Sequence, residues 1–279
     1  MENRKEIKIL FFGDLVGRVA RIGLTKYLES RSKNENCPIF VVANAENASH
    51  GFGLTEKNYN ELTQIGIDCL TSGNHIWDKK EIFNYIDNAP KLVRPINYPQ
   101  GTAGCGVRIF EKNGVKIGVI NALGRVFMPP INDPIDSLSL AVANIKSDVD
   151  YIFIDFHAEA TAEKICVGRK MSEIGVNAFV GTHTHVPTAD EQIINNMAYI
   201  SDVGFCGAFD SVIGMEYKSS LKRMTTLMPE RYEVASGGLC VINAVEISLI
   251  DGVATDIKRI NEKIDINNEQ EVTVEHHDG

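Results

Sequence analysis

Short apolar runs, each closed by a cluster of polar residues, recur along this chain. Ile7 to Phe12 is a run suited to a strand buried on both faces. The spacing of Ile22, Leu24, Tyr27 and Leu28 then predicts a helix over 18–33. Pro38 to Ala43, rich in β-branched residues, reads as the next strand, and Thr55 to Ile65 as a helix with Thr55 as its N-cap. A short strand over Asp68–Ser72 and a third helix over Lys79–Ile86 continue the alternation. Strand followed by helix, repeated, predicts a sheet flanked by helices, with ligands gathered at the carboxyl ends of the strands.

The middle of the chain changes character. Two strand-like runs, starting at Val107 and spanning Val115–Ile120, flank Asn113-Gly114, a hairpin signal. Arg125 to Pro134 reads as a Pro-rich loop and Asp136 to Lys146 as a helix. Tyr151–Phe156 is another buried strand, Thr161–Ile174 another helix, and Ala178–Gly181 a strand leading into two closely spaced histidines. The last third is β-rich: Met197–Ser201, Leu239–Ile250 and Ala254–Arg259, the last two joined through Asp251-Gly252. Without an internal repeat or low-complexity linker, residues 1–264 read as a single domain and residues 265–279 as a polar, acidic tail.

Composition narrows the classes of function. With 279 residues the chain can bury a full core, and a net charge of -9 argues against broad binding to long nucleic acid. Six cysteines without a Cys-x-x-Cys pair read as buried thiols of a reducing compartment. The run Ile9–Phe12 is broken at once by Gly13-Asp14, so it does not read as a secretory leader, and no apolar stretch is long enough to span a bilayer. The expectation is a cytoplasmic protein with no membrane partner.

The chemistry lies in what closes the apolar runs: Gly13-Asp14, Asn44-Ala45-Glu46-Asn47, Gly73-Asn74-His75, His157-Ala158-Glu159 and Gly181-Thr182-His183-Thr184-His185. Asp14 alone would read as a helix cap, Asp78 equally as a cap or as a partner orienting His75, and His157 alone as a hydrogen-bonded core histidine. Together, Asp14, Glu46, Asn47, Asn74, His157, His183 and His185 supply carboxylate, amide oxygen and imidazole without a thiolate, a set suited to manganese, iron or zinc. His183 and His185, expected to alternate along a strand, would face one side. Two divalent ions about 3.5–4 Å apart would serve phosphate-ester hydrolysis, because they activate water and neutralise the phosphate charge. A metallo-β-lactamase pattern is absent, since no His-x-Asp-His continues from His185, and no Gly-x-Ser-x-Gly marks a serine hydrolase.

In the order GD, NAEN, GNH, H and GTHTH the chain resembles the calcineurin-like metallophosphoesterases, and within them the bacterial YmdB-type branch of cyclic-nucleotide phosphodiesterases. The likeness runs through FFGDLVGR, NAENASHGFGL, SGNHIWD, NALGRVFM, HAEATAEK, VGTHTHVPTAD and YISDVGFCG. Val16 stands where the wider superfamily has the histidine of Asp-x-His, and Glu46 where it has a bridging Asp, as in that branch.

The resemblance implies a four-layered α/β/β/α sandwich and a site holding two divalent ions, iron or manganese, with zinc or magnesium as alternatives. Glu46 would bridge them, Asp14, Asn47 and His185 completing one site and Asn74, His157 and His183 the other. A bridging hydroxide would attack phosphorus, and His75 would protonate the departing ribose oxygen. The implied substrate is a 2′,3′- or 3′,5′-cyclic nucleotide, and a homo-oligomer would be in keeping with the family. The alternatives are a nucleotide or protein phosphomonoesterase, a metal-bound sensor without turnover, and an enzyme acting on cyclic phosphates at RNA ends. Arg18 and Arg125 are candidate contacts to substrate phosphate or base, with a surface or interface salt bridge the equal alternative for each. Glu159, Glu163 and Asp190 are candidate orienting partners of the histidines, with helix capping or solvation favoured for Glu163.

Overall fold

The computed structural model describes residues 5–31, 37–229 and 231–267. His276, His277 and nearly all of the acidic tail lie outside the described residues, as do Met1–Arg4. The chain opens with β1 (Glu6–Phe12), the two-residue β2 (Asp14–Leu15), α1 (Gly17–Arg31), β3 (Ile39–Asn44), α2 (Glu56–Gln64) and β4 (Cys69–Thr71). The hairpin of β5 (Val107–Lys112) and β6 (Val115–Leu123) follows, then α3 (Pro134–Ile145), β7 (Tyr151–His157), α4 (Thr161–Glu173) and β8 (Ala178–Thr182). The last part holds β9 (Gln192–Ile194), β10 (Met197–Ile200), β11 (Phe205–Ala208), α5 (Tyr217–Thr226), β12 (Leu239–Ile250) and β13 (Val253–Asp265).

Two sheets result. The first runs β2-β11-β12-β1-β3-β4, with β13 added on β12; the second runs β5-β6-β7-β8-β10-β9. In the first, β1, β3 and β4 are mutually parallel. In the second, β6, β7, β8 and β10 are parallel. Side-chain alternation explains why the sheets stack. Ile7, Ile9 and Phe11 of β1 face inward against Val119, Phe153 and Val180 of the second sheet. The Phe11 and Phe153 rings meet with centroids 5.4 Å apart. The opposite face of β1, Leu10 and Phe12, packs on Leu24 and Tyr27 of α1 and Leu62 of α2. On the far side, Ile152 and Ile154 of β7 pack under Leu138 of α3 and Val167 and Met171 of α4. The order of layers is α/β/β/α, as expected. Among the described residues no helix is long and apolar enough to cross a membrane.

Local signals place most elements. Thr55 caps α2 by accepting from Asn58 N at 3.3 Å, and Asn113 and Gly114 both take positive φ in the β5–β6 turn. The third expected helix is different: 80–84 and 86–88 form two short 3₁₀ segments. Ile82, Tyr85, Ile86 and Ala89 are the buried positions there, a spacing an α-helix would also give, but bonds from Ile82 N to Lys79 O and Tyr85 N to Ile82 O close three-residue turns in its place. α3 begins at Pro134, two residues ahead of expectation. Asp133 caps it, accepting from Ile135 N at 2.8 Å and Asp136 N at 3.2 Å, and proline suits the first turn. The short α5, β9, β2 and β11 lack a readable period and were not anticipated.

Candidate metal centre

The parallel strands of both sheets end on the same edge of the sandwich, and the polar clusters follow those ends. Asp14 lies just beyond β1, Glu46 and Asn47 beyond β3, Asn74 and His75 beyond β4, His157 closes β7, and His183 and His185 follow β8. Gly13 permits the approach of β1 to the 202–205 segment, because a Cβ there would stand 1.9 Å from Gly204 O.

Three donor atoms converge on His157 Nε2. Glu46 Oε1 lies at 3.0 Å, His183 Nδ1 at 3.0 Å and Asn74 Oδ1 at 3.1 Å. Ligand atoms each about 2.1 Å from one ion stand roughly 3 Å apart at right angles, so this spacing suits a shared cation. Glu46, His157 and His183 together form a cluster able to hold one. Beside it, Asp14 Oδ1 and Asn47 Oδ1 are buried and accept no hydrogen bond, while His185 Nε2 lies 4.0 Å from Asp14 Oδ2. Unpaired buried oxygens are costly unless a cation satisfies them. Gly73 completes the cradle: a Cβ there would lie 2.2 Å from Glu46 Oε2 and 2.5 Å from His157 Nε2. The residues present therefore fit two divalent ions.

The electrostatics point the same way. Burial alone would disfavour the His157 imidazolium, yet Glu46, then Asp14 and Asp155, outweigh it and push His157 up to about 9. Burial would raise Glu46, but the His157 charge, with a smaller contribution from His75, brings it down to about 2. Burial raises Asp14 despite His157 and His185. His183 is lowered to about 3 by burial and by the neighbouring His157 charge. Without metal, one proton on His157 compensates a knot of carboxylates, a place that a divalent cation can take.

Beneath the donors lies a buried polar layer that the sequence reading did not anticipate. Thr182 Oγ1 sits 2.9 Å from His157 Nδ1 and donates to Asp155 Oδ1 at 2.7 Å. That chain directs the other ring nitrogen of His157 at the donor cluster. Asp155 Oδ2 also accepts from Asn44 Nδ2 at 3.0 Å and Thr71 Oγ1 at 2.5 Å, and burial raises Asp155 to about 7. The signal was there: an aspartate in the middle of Tyr151-Ile-Phe-Ile-Asp-Phe is out of place in an apolar strand.

The double-histidine segment departs from its expected form. β8 ends at Thr182, and His183 and His185 adopt φ of 102° and 64°, so they sit in a turn and not on one face of a strand. Such angles cost about 1–3 kcal/mol each and persist only where the surroundings enforce them. Enforcement comes from Asp202, whose Oδ2 accepts from Thr184 N at 3.1 Å, Thr184 Oγ1 at 2.8 Å and Lys164 Nζ at 2.7 Å. His183 N donates to Asp14 Oδ2 at 3.0 Å, and His185 Nδ1 lies 2.8 Å from Ile213 O. Lys164 and Asp202 are both buried. Lys164→Met, which strands the Asp202 charge, is expected to cost about 3–5 kcal/mol in denaturant unfolding of the metal-free protein. A loss below about 1 kcal/mol would show that the pair is a bystander, comparable to a surface bridge.

At the rim, His75 Nδ1 lies 2.8 Å from Asp78 Oδ2, and the Phe52 ring meets the imidazole edge-on at 4.9 Å. His75 N also donates to Glu46 Oε2 at 3.0 Å, tying the rim to the donor cluster. A cleft of about 360 Å³ opens over Glu46, Asn47, His75, His183 and His185. Among the other candidates, Glu159 Oε2 reaches His183 Nε2 at 3.0 Å. Asp190 does not meet a ligand histidine, because its carboxylate binds Ser201 and Thr188, orienting the strand end that precedes Asp202. Glu163 accepts from the backbone of Arg125 and Val126, holding that loop. Arg125 pairs with Asp133 at 3.1 Å, and neither Arg125 nor Arg18 lines the cleft.

A model of the YmdB-like protein family matches residues 10–260, spanning both sheets and every donor described above. The chain belongs to the YmdB-like family. A family relative, the 2′,3′-cyclic-nucleotide 2′-phosphodiesterase of Bacillus subtilis, is 45% identical over 253 residues, 90% of this chain and 95% of that one. Among solved structures, a phosphatase from Mycoplasma pneumoniae superposes on this YmdB-like chain with a TM-score of 0.85 at 34% identity, covering 94% and 95% of the two chains. The NAD nucleotidase of Haemophilus influenzae shares the fold alone, with a TM-score of 0.52 at 12% identity over 93% of this chain and 50% of that one. The sandwich is therefore of the metallophosphoesterase type.

Proposed function

We propose that this protein is a metal-dependent phosphodiesterase that opens 2′,3′-cyclic nucleotides. The observation that carries the reading is the convergence of donor residues from both sheets, with Glu46, Asn47, His183 and His185 lining one cleft, Asn74 and His157 packed against them, and His75 at the rim. The activity named for the Bacillus subtilis relative supports the choice of ester. Because both sheets contribute donors, residues 1–264 read as one catalytic domain.

Asp14, Asn47 and His185 would hold one ion, Asn74, His157 and His183 the other, and Glu46 both. When bound, the ions would lower the pKa of water and neutralise charge on the phosphate. The protein's own part is positional and acidic. The Thr182–Asp155 chain and the Asp202 anchor hold the histidines in place, so the donors need not reorganise as substrate enters. With Nδ1 turned to Asp78, His75 has Nε2 left for the cleft. As oxygen from water bonds to phosphorus and the bond to the 2′ oxygen breaks, His75 would donate the proton that the departing alkoxide requires. The product would be a 3′-phosphate.

The test is hydrolysis by protein stripped with chelator and reloaded with manganese, iron or zinc. Substrates would be 2′,3′- and 3′,5′-cyclic AMP, bis-p-nitrophenyl phosphate and p-nitrophenyl phosphate. Metal-restored turnover of 2′,3′-cyclic AMP well above the monoester is expected. Monoester preference would favour a phosphomonoesterase, and two bound ions without turnover on any ester would favour a sensing role.

A further inference from the structure

The cleft over the donor cluster is chemically divided. Its inner wall is the polar ring of Glu46, Asn47 and the histidines, and its outer wall is made by Phe52, Met215, Met224 and Tyr232. Phe52 and Tyr232 lie with ring centroids 6.5 Å apart, tilted by 43°, and Arg223 sits over the Tyr232 ring at 4.5 Å. Met224 of that wall is carried by α5, whose N-cap Glu216 accepts from Ser219 N at 2.8 Å. The next residue, Ser220, lines the cleft and is 2% exposed, yet its hydroxyl has no hydrogen-bond partner among the described residues. A buried hydroxyl without a partner at a cleft wall calls for a ligand atom to satisfy it.

Such a cleft asks for a ligand with a phosphoryl group at one end and a flat apolar body with a hydrogen-bonding edge at the other. We propose that Phe52, Met224, Tyr232 and Ser220 form the subsite for the nucleobase of the substrate. This inference rests on the phosphodiesterase reading and adds the part of the substrate that reading leaves unplaced. The volume of about 360 Å³ is in the range of small-ligand sites, ~300–1,000 Å³. Aromatic and thioether side chains bind any base through its face, and a rotatable hydroxyl both donates and accepts. The subsite therefore recognises that a base is present without selecting strongly among bases.

The experiment compares, for the metal-loaded full chain, kcat/KM on 2′,3′-cyclic AMP with that on methyl riboside 2′,3′-cyclic phosphate, which has no base. The ratio of the two is expected to fall roughly tenfold in Met224→Ala, through KM for the nucleotide. In Ser220→Ala it should fall about threefold, the scale of one hydrogen bond. Met224 is exposed and Ser220→Ala is nearly isosteric, so both variants should fold. Ratios unchanged in both variants, or a wild type with no preference for the nucleotide, would overturn the subsite. Should the wild type hydrolyse neither ester, the phosphodiesterase reading fails on its own. Equilibrium binding of adenosine 3′-monophosphate to metal-stripped protein then decides: weaker binding in Met224→Ala supports the subsite, and equal binding overturns it.

Discussion

Glu46→Ala is expected to reduce bound metal below two ions per chain and to lower phosphodiester turnover by about 10³-fold or more. The reason lies in where this carboxylate stands. Its Oε1 is 3.0 Å from His157 Nε2, and its Oε2 accepts from His75 N, so one side chain links the donor cluster to the rim of the cleft. Among the described residues no other carboxylate bonds to both. Asp14 faces the other nitrogen of His157, its Oδ1 3.7 Å from Nδ1 and accepting no hydrogen bond, and Asp155 is turned away into its bonds with Thr71, Thr182 and Asn44. A metal contributes several kcal/mol of transition-state stabilisation, and each ~1.4 kcal/mol is a factor of ten. Metal analysis after dialysis, beside the turnover assay, checks the claim. Two ions retained per chain would overturn the ligand assignment. Glu46→Gln separates charge from shape: it keeps an oxygen but not the bridging charge, and should lose metal less completely.

His75→Ala should do the opposite, leaving metal content intact while lowering turnover of 2′,3′-cyclic AMP by about 10²–10⁴-fold, the usual worth of a positioned general acid. The loss should shrink for bis-p-nitrophenyl phosphate, because p-nitrophenolate departs without needing a proton and a ribose alkoxide does not. Asp78→Asn should show a milder form of the same pattern, since it weakens the hold on the His75 ring without removing the acid. Equal losses on both leaving groups would assign His75 to binding. Unchanged turnover would remove it from the mechanism.

The chain displays its architecture through period and punctuation. Buried parallel strands such as β1 and β7 are apolar runs that need no partner to be recognised, and the Thr55 cap and Asn113-Gly114 turn mark themselves by residue type. The candidate donors were legible only as a set: a cap or a core hydrogen bond explains any one of them, but five polar clusters that each close an apolar run share no structural use. What stayed hidden depends on contacts between distant segments. α5 buries Ser220 alone, so its sequence carries no apolar stripe to detect. The Lys164–Asp202 pair joins residues that look unremarkable apart, a lysine within a helix and an aspartate after a strand, although Asp202 closes an apolar run just as the donors do. The 3₁₀ segments after Lys79 and the turn at His183 both arise where tertiary contacts override the local period.

The hydrogen bond from His183 N to Asp14 Oδ2 joins residues 169 positions apart and spans the seam between the two sheets. Asp14, Glu46, Asn47 and Asn74 belong to the first third of the chain, and His157, His183 and His185 to its second half. A growing polypeptide that has made only β1, β3 and β4 carries Asp14, Glu46, Asn47 and Asn74 but no ligand histidine. Phosphoesterase competence thus arrives late and at once, when the second sheet docks on the first. Ions bound there would then clasp the two sheets together, so that removing them loosens the whole sandwich along its seam and not merely its surface.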